Sequence, residues 1–402
     1  MSRAHRPLAL RRGRPAPTVD DRDASRADWM ELFFDLVFVV LVGQLSAGLR
    51  THPDFADVGV FLALFSSVWW SWVNLTFSVN IQEHLSRRAL AGYMLAAMAA
   101  MGAIAVAAPG ATASSGWLFA LGNAALRGVM LGLWVRRSWS AGAGARIRVL
   151  AYNGATGILW LASAFVPAPG RFLLWAVAIV VEIVLLVVTA PGLLRRLGTV
   201  NVEHLAERFG TLVIIALGES VLAIVNAVSA SLSPMVGLAA GLALVITACL
   251  AWSMFMFGVD SMRAGLERLV RADDSRGLVE TFAFLPYLLV AGVMMLAGAL
   301  SAAISAPAGI LPVASGVTLG AGVALFYGTN ALVSRRYGNR WRVILPWALP
   351  AVLLPLAVSA GAAWIPAVWV LGAMACVLVA VVVIAERLAR RKAVAKAGVW
   401  PG

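Results

Sequence analysis

The stretch Glu31-Leu-Phe-Phe-Asp-Leu-Val-Phe-Val-Val-Leu-Val-Gly-Gln44 decides how the chain is read. It opens a run of about twenty mostly apolar residues, Met30 to Leu49, enough to cross roughly 30 Å of hydrocarbon as a helix. It also carries an acid, Asp35, where hydrocarbon is expected. Runs of the same length recur along all 402 residues, and short alternating strands of the kind a β-barrel needs are absent. Hydrophobic residues make up 61% of the chain and charged ones 13%, whereas a soluble domain keeps about 25% charged residues to meet water. The reading is an all-α polytopic membrane protein whose main partner is the lipid bilayer.

Twelve spans are expected: 30–49, 56–78, 89–108, 112–135, 148–166, 171–193, 208–230, 234–258, 279–300, 311–334, 343–360 and 364–385. Pro346, Pro350 and Pro355 are expected to kink the eleventh. The net charge of +13 does not point to nucleic acid, because the basic residues sit in short loops on one side. With the N-terminus inside, the cytoplasmic segments hold 29 of the 32 Lys and Arg residues. The outer loops hold only Arg50 and Arg171, and Arg127 alone lies within a span. This bias predicts a cell-membrane protein with both termini cytoplasmic. Residues 1–28 are polar and Arg-rich and are expected to form a disordered cytoplasmic arm; 387–402 form a basic cytoplasmic tail. No signal peptide is read there. Alanine and glycine richness, with only two lysines, Lys392 and Lys396, points to a bacterial genome. Trp69, Trp70, Trp72, Trp117, Trp364 and Trp369 fall near proposed boundaries and read as an aromatic belt. His84 and His204 read as loop residues. Cys249 and Cys376 have no metal-ligand spacing, so no metal and no cofactor is expected.

The seventh span begins Glu207-Arg-Phe-Gly-Thr-Leu-Val-Ile-Ile-Ala-Leu-Gly-Glu219 and echoes the first. Glu31 matches Glu207, Phe33 matches Phe209, Leu36-Val37 matches Leu212-Val213, and Gly43-Gln44 matches Gly218-Glu219 after a one-residue slip. Trp70-Ser71 and Trp252-Ser253 stand in the next spans, and Arg136-Arg137 and Arg335-Arg336 end the fourth and tenth. The expectation is two parallel six-helix repeats, 29–194 and 207–386, with a site between them.

Ionisable residues at membrane depth are costly, so each is a candidate for function. Glu31 and Asp35 share a helix face; Glu31 is also explained by the helix dipole at a helix start. Glu219 falls near mid-membrane, on a face with Ala216, Leu222, Ala223 and Asn226 that is expected to point inward. If no cation reaches Glu219, it would exchange a proton whenever water enters. Asp35, Glu219, Glu31, Glu207 and Asn226 form the candidate transport or proton site. Arg127 needs an acid, with Glu182 or Asp35 as candidate partner in a buried ion pair. No HExxH, GxSxG, P-loop or paired-cysteine signature is present, and no catalytic residue is assigned.

Trp29-Met-Glu-Leu-Phe-Phe-Asp-Leu-Val-Phe-Val39 and His204-Leu-Ala-Glu-Arg-Phe-Gly-Thr-Leu-Val-Ile-Ile-Ala-Leu-Gly-Glu-Ser220 resemble the two hallmark segments of the bacterial low temperature requirement protein A family. The resemblance covers about residues 25–390. It implies a multi-pass membrane fold and directs attention to Glu31, Phe34, Asp35, Glu207, Arg208, Gly218, Glu219 and Ser220. The family name records a growth phenotype and leaves the chemistry open. Three functions therefore stand at this point. The first is a carrier for a small solute or ion, with proton coupling. The second is a non-catalytic protein of membrane stress adaptation whose charged groups pair with one another. The third is an intramembrane enzyme acting on a lipid or isoprenoid.

Overall fold

The computed structural model describes residues 19–397 apart from 51–52, 82–85, 141, 198–201, 273, 275 and 278–279. Among the described residues twelve helical rods follow one another. The first is Val19–Leu45, prolonged by a 3-10 turn at Ser46–Leu49. Phe55–Ile81, Arg87–Ala107 and Gly116–Ser140 are the second to fourth. The fifth runs from Ala143–Val149 through a π-turn at Leu150–Ala155 into Thr156–Ser163. Gly170–Leu197 and Val202–Ala230 are the sixth and seventh. The eighth, Pro234–Ser253, passes through a π-turn at Met254–Gly258 into Val259–Arg271. The ninth starts with a π-turn at Glu280–Phe284 and continues as Leu285–Ser305. Val313–Arg336, Trp341–Ala360 and Ala367–Ala397 complete the set. Among the described residues there is no strand, and eleven helices are long and apolar enough to cross a membrane. The fifth is the rod outside that set, because Arg146, Arg148 and Asn153 lower its apolar character.

The segments between the expected spans are more helical than their polarity suggests. The first helix starts inside the arm expected to be disordered, because Val19 to Asp28 contains neither Gly nor Pro to stop it. The rest of the arm, residues 1–18, lies outside the described residues, as does His84. His204 lies in the first turn of the seventh helix rather than in a loop. The 263–276 segment, read as a loop, is helical to Arg271. Met262, Leu266 and Leu269 recur at helical spacing and are buried, which docks this extension on the bundle. There Gly265 leaves room for the ring of Tyr337, and Arg268 Nη1 donates to the Tyr337 carbonyl at 2.6 Å. The basic tail is helical to Ala397.

The helices pack in a set order. In the first half, the first helix lies on the third, the third on the fourth, the fourth on the fifth and the fifth on the sixth; the second touches the fourth and sixth. In the second half, the seventh lies on the ninth, the ninth on the tenth, the tenth on the eleventh and the eleventh on the twelfth; the eighth touches the tenth and twelfth. The halves meet where the first helix packs on the seventh and where the ninth reaches the first and second. The ninth is the central rod: 89% of its apolar window is buried, against 17% for the sixth, whose Leu173, Val180, Val184 and Val188 face outward. Glycines allow the close contact of ninth and tenth helices. A Cβ on Gly322 would lie 2.6 Å from the Gly292 carbonyl, so only glycine fits there.

With the N-terminus taken as cytoplasmic from the arginine bias, the connections between third and fourth and between ninth and tenth helices are expected to lie outside. In a Cys249→Ala, Cys376→Ala background, Ala113→Cys and Ala308→Cys are expected to react with an impermeant maleimide added to intact cells. Both residues are exposed, whereas a side chain on neighbouring Gly110 would strike Ser115 Oγ at 2.6 Å. Reaction only after the cells are opened would reverse the orientation.

Candidate functional site: three interhelical ion pairs

On the first helix, Glu31 and Asp35 are one turn apart and face the seventh helix, which brings up Arg208. Arg208 Nη2 donates to Asp35 Oδ1 at 2.8 Å and Nη1 lies 3.2 Å from Glu31 Oε2. Asp35 is fully buried and Arg208 is 5% exposed, so one guanidinium answers two acids away from water. Trp72 of the second helix completes the site, its indole N–H donating to Asp35 Oδ1 at 2.8 Å. The guanidinium lies 5.9 Å from the centre of the Phe34 ring.

A second pair joins the same two helices nearer their other end. Arg50, just past the 3-10 turn, donates from Nη2 to Glu219 Oε1 at 2.9 Å and to the Gly43 carbonyl at 3.1 Å. Gly43 makes room for this geometry, because a Cβ there would lie 2.5 Å from Glu219 Oε1 and would force that side chain to shift. Arg208 and Glu219 are eleven residues apart on one helix, so the two pairs are separated by roughly 16 Å along it. The seam between first and seventh helices is therefore charged at two levels, with Phe38, Val39, Leu212 and Val213 buried between them.

The third pair lies inside the first half. Arg127 of the fourth helix holds Glu182 of the sixth in a fork: Nε to Oε1 at 2.7 Å and Nη2 to Oε2 at 2.8 Å. Its Nη1 donates to Asn123 Oδ1 at 2.9 Å and its Nη2 to the Ser67 carbonyl at 2.7 Å. The guanidinium is 5.5 Å from the centre of the Trp160 ring. Two-point Arg–carboxylate contact is the strongest form of such a pair, and both residues are about 2% exposed. Nearby, Asn74 donates to Asn153 in the π-turn of the fifth helix at 3.2 Å.

The structure sorts the expected site residues. Glu31, Asp35 and Glu219 lie on the seam, and Arg127 has Glu182. Glu207 is exposed, since successive helical residues are about 100° apart and Arg208 takes the inward position. Asn226 and Leu222 are also exposed; of that face only Ala216 and Ala223 are buried, and Asn226 is close to the helix end at Ala230. The condition that no cation reaches Glu219 is not met, because Arg50 does. Trp69, Trp70 and Trp72 are not belt residues. All three are buried: the Trp69 N–H donates to the Ala283 carbonyl at 2.8 Å, and Phe38 stacks on Trp72 at 5.8 Å. Trp117, Trp364 and Trp369 are exposed at helix ends. Arg208 was marked only by the family resemblance, Arg50 and Trp72 were hidden among loop and belt residues, and a census of ionisable groups passes over Asn74 and Asn153.

Removing one partner of a buried pair leaves an uncompensated charge. Arg208→Gln is expected to cost about 3–5 kcal/mol of stability, read as a fall in thermal midpoint of the detergent-purified protein, with part of the loss recovered by adding Asp35→Asn. Gly43→Ala is expected to push Glu219 off Arg50 and to lower the midpoint as well, while Gly218→Ala, with open space at its Cβ, leaves it unchanged.

Residues 26–384 match the family model described as Bacterial low temperature requirement A protein (LtrA). Among curated proteins the chain is 30% identical over 217 residues to Uncharacterized protein RA0937 of Rhizobium meliloti (strain 1021); the match covers 51% of this chain and 52% of the relative, so it spans about half the length of that protein. Since the family model covers nearly the whole chain, from just before the Glu31–Asp35 turn to the last membrane helix, the protein belongs to the bacterial low temperature requirement A family of integral membrane proteins.

Proposed function

We propose that this protein is a carrier for a small solute or ion, working by alternating access at the seam between its first and seventh helices. The observation that supports this most directly is the placement of the two seam pairs. Glu31 and Asp35 with Arg208 close one end, and Arg50 with Glu219 closes the other. Opening toward the termini would break the first while the second holds, and the reverse opening would exchange them. The same reading takes the chain as two parallel six-helix repeats, with the termini in the cytoplasm of a bacterial cell. Corresponding helices make corresponding contacts in each half. Gly43 of the first helix lies against Glu219 of the seventh, so the two matched segments face each other at the seam. In this reading Glu219, freed when Arg50 withdraws, is the group that would carry a coupled proton.

One observation favours a second reading, a non-catalytic protein acting by association: the four acids and their three arginines are closed on one another. The two readings part at Val39, buried on the Asp35 face between the two pairs. In the cysteine-free background, Val39→Cys is expected to be protected. Adding Asp35→Asn should expose it to an impermeant thiol reagent from the cytoplasmic side only. Adding Glu219→Gln instead should expose it from the outside only. Protection in both, or labelling from one side in both, would leave the pairs as static ties and end the carrier reading.

A further inference from the structure

The last third of the chain carries almost no charge. Between Glu280 and Glu386 there is no acid, and the four basic residues are Arg335, Arg336, Arg340 and Arg342. All four stand about one turn, where the tenth helix ends at Arg336 and the eleventh begins at Trp341. The apolar spans end and begin at the same two residues, so these arginines stand at the boundary of the hydrocarbon. Each of them is exposed, and so is Trp341 between the last two, at 45%. A tryptophan in that place sits at the level of the lipid headgroups.

Three of these charges are unanswered within the protein. Arg336 pairs with Glu280, which also holds Arg276. Arg335, Arg340 and Arg342 have no carboxylate or carbonyl partner among the described residues. The arginines of the neighbouring extension differ, since Arg271 has Glu267 and Arg268 has the Tyr337 carbonyl. Arg335 is at a helix C-terminus, where the dipole favours a cation. Arg340 and Arg342 are at a helix N-terminus, where the same dipole disfavours one. Arg340 makes no side-chain cap, and the first turn has no acid to offset the cost. The one-sided arginine bias asks only for charge beside the membrane and does not account for two arginines at the disfavoured helix end. An anion from outside the chain answers both the arginines and the dipole. At headgroup level that anion is a lipid phosphate, whose oxygens match the fork of arginine donors.

We propose that the turn between the tenth and eleventh helices binds an anionic phospholipid, its phosphate held by Arg340 and Arg342 with Arg335 beside them, and Trp341 set against the upper part of its acyl chains. This assignment depends on neither the carrier reading nor the orientation of the chain.

The test uses the full chain in a non-ionic detergent. The probes are dioleoylphosphatidylglycerol, dioleoylphosphatidylcholine and inorganic phosphate, and bound lipid is counted by native mass spectrometry over a titration. Phosphatidylglycerol is expected to bind and to raise the thermal midpoint, as a ligand of the folded state does. Phosphatidylcholine, whose phosphate is neutralised by its own choline, should bind far more weakly. Arg340→Gln with Arg342→Gln should weaken phosphatidylglycerol binding roughly 30-fold. Arg271→Gln with Arg276→Gln removes the same charge from arginines that already have acids and should leave binding unchanged. Without lipid, the first double variant should be at least as stable as the native chain, since its arginines have no internal partner to lose. Equal binding of phosphatidylcholine, or equal loss in both double variants, would overturn the proposal. So would a lower lipid-free midpoint in Arg340→Gln with Arg342→Gln, or displacement of the lipid by millimolar inorganic phosphate but not by sodium chloride of equal ionic strength.

Discussion

A charged side chain inside hydrocarbon persists when a charge of opposite sign and a set of hydrogen-bond donors or acceptors meet it there, and in this protein each such meeting joins two different helices. Arg127 and Glu182 tie the fourth helix to the sixth, while Arg208 and Arg50 tie the seventh to the first. A charge near the centre of a spanning helix costs about 2.5–3.5 kcal/mol on insertion scales, and that cost is offset only in one register of the two partners. The pairs therefore fix how far each helix is slid and turned against its neighbour. Lipid-facing apolar surface cannot do this, because in the membrane one apolar contact replaces another of similar worth.

The neutral core completes what the charges begin. The second helix sends Trp69 and Trp72 to opposite duties on one aromatic cluster. Trp72 donates to Asp35, and Trp69 donates to the carbonyl of Ala283, in the π-turn that starts the ninth helix. A π-turn widens the helix by one residue and frees backbone groups, so such a turn is a natural place for a side chain to dock. The ninth helix is in turn held close to the tenth through Gly292 and Gly322. The seam between the halves thus rests on a rigid aromatic and small-residue scaffold rather than on charge alone.

The three pairs are not equivalent. Arg127 and Glu182 are joined at two points, sealed at about 2% exposure, and shared with Asn123 and Ser67; nothing in that arrangement allows one partner to leave without orphaning several groups. Arg50 and Glu219 meet through a single nitrogen, with side chains 25% and 10% exposed, beside a turn rather than within a helix. A single, partly exposed contact gives up less when it opens. The first half accordingly contains a fixed pair at its centre, and the contact between the halves contains the pair most easily parted.

Much of this was legible in the sequence. Apolar runs of spanning length and the one-sided arginines gave the class, the helix order and the approximate bounds, because a bilayer imposes length and polarity on each segment separately. Helix continuation into polar segments, as at Val19–Asp28 and Val259–Arg271, was not legible from hydropathy, which reports partition into lipid and not backbone conformation. Asp35, Glu219, Arg127 and Glu182 stood out because an ionisable residue within an apolar run is visible locally. Their partners did not, apart from Glu182: Arg50 looked like a loop residue and Trp72 like a boundary residue, and Arg208 was marked by the family resemblance rather than by its own position. Glu207 and Asn226 looked like members of the site and face outward. Whether a residue at a helix end turns inward depends on which helix lies beside it, and that neighbour is distant in sequence. Composition and periodicity settle what each helix can be, whereas only the packing of one helix against another decides which charges meet.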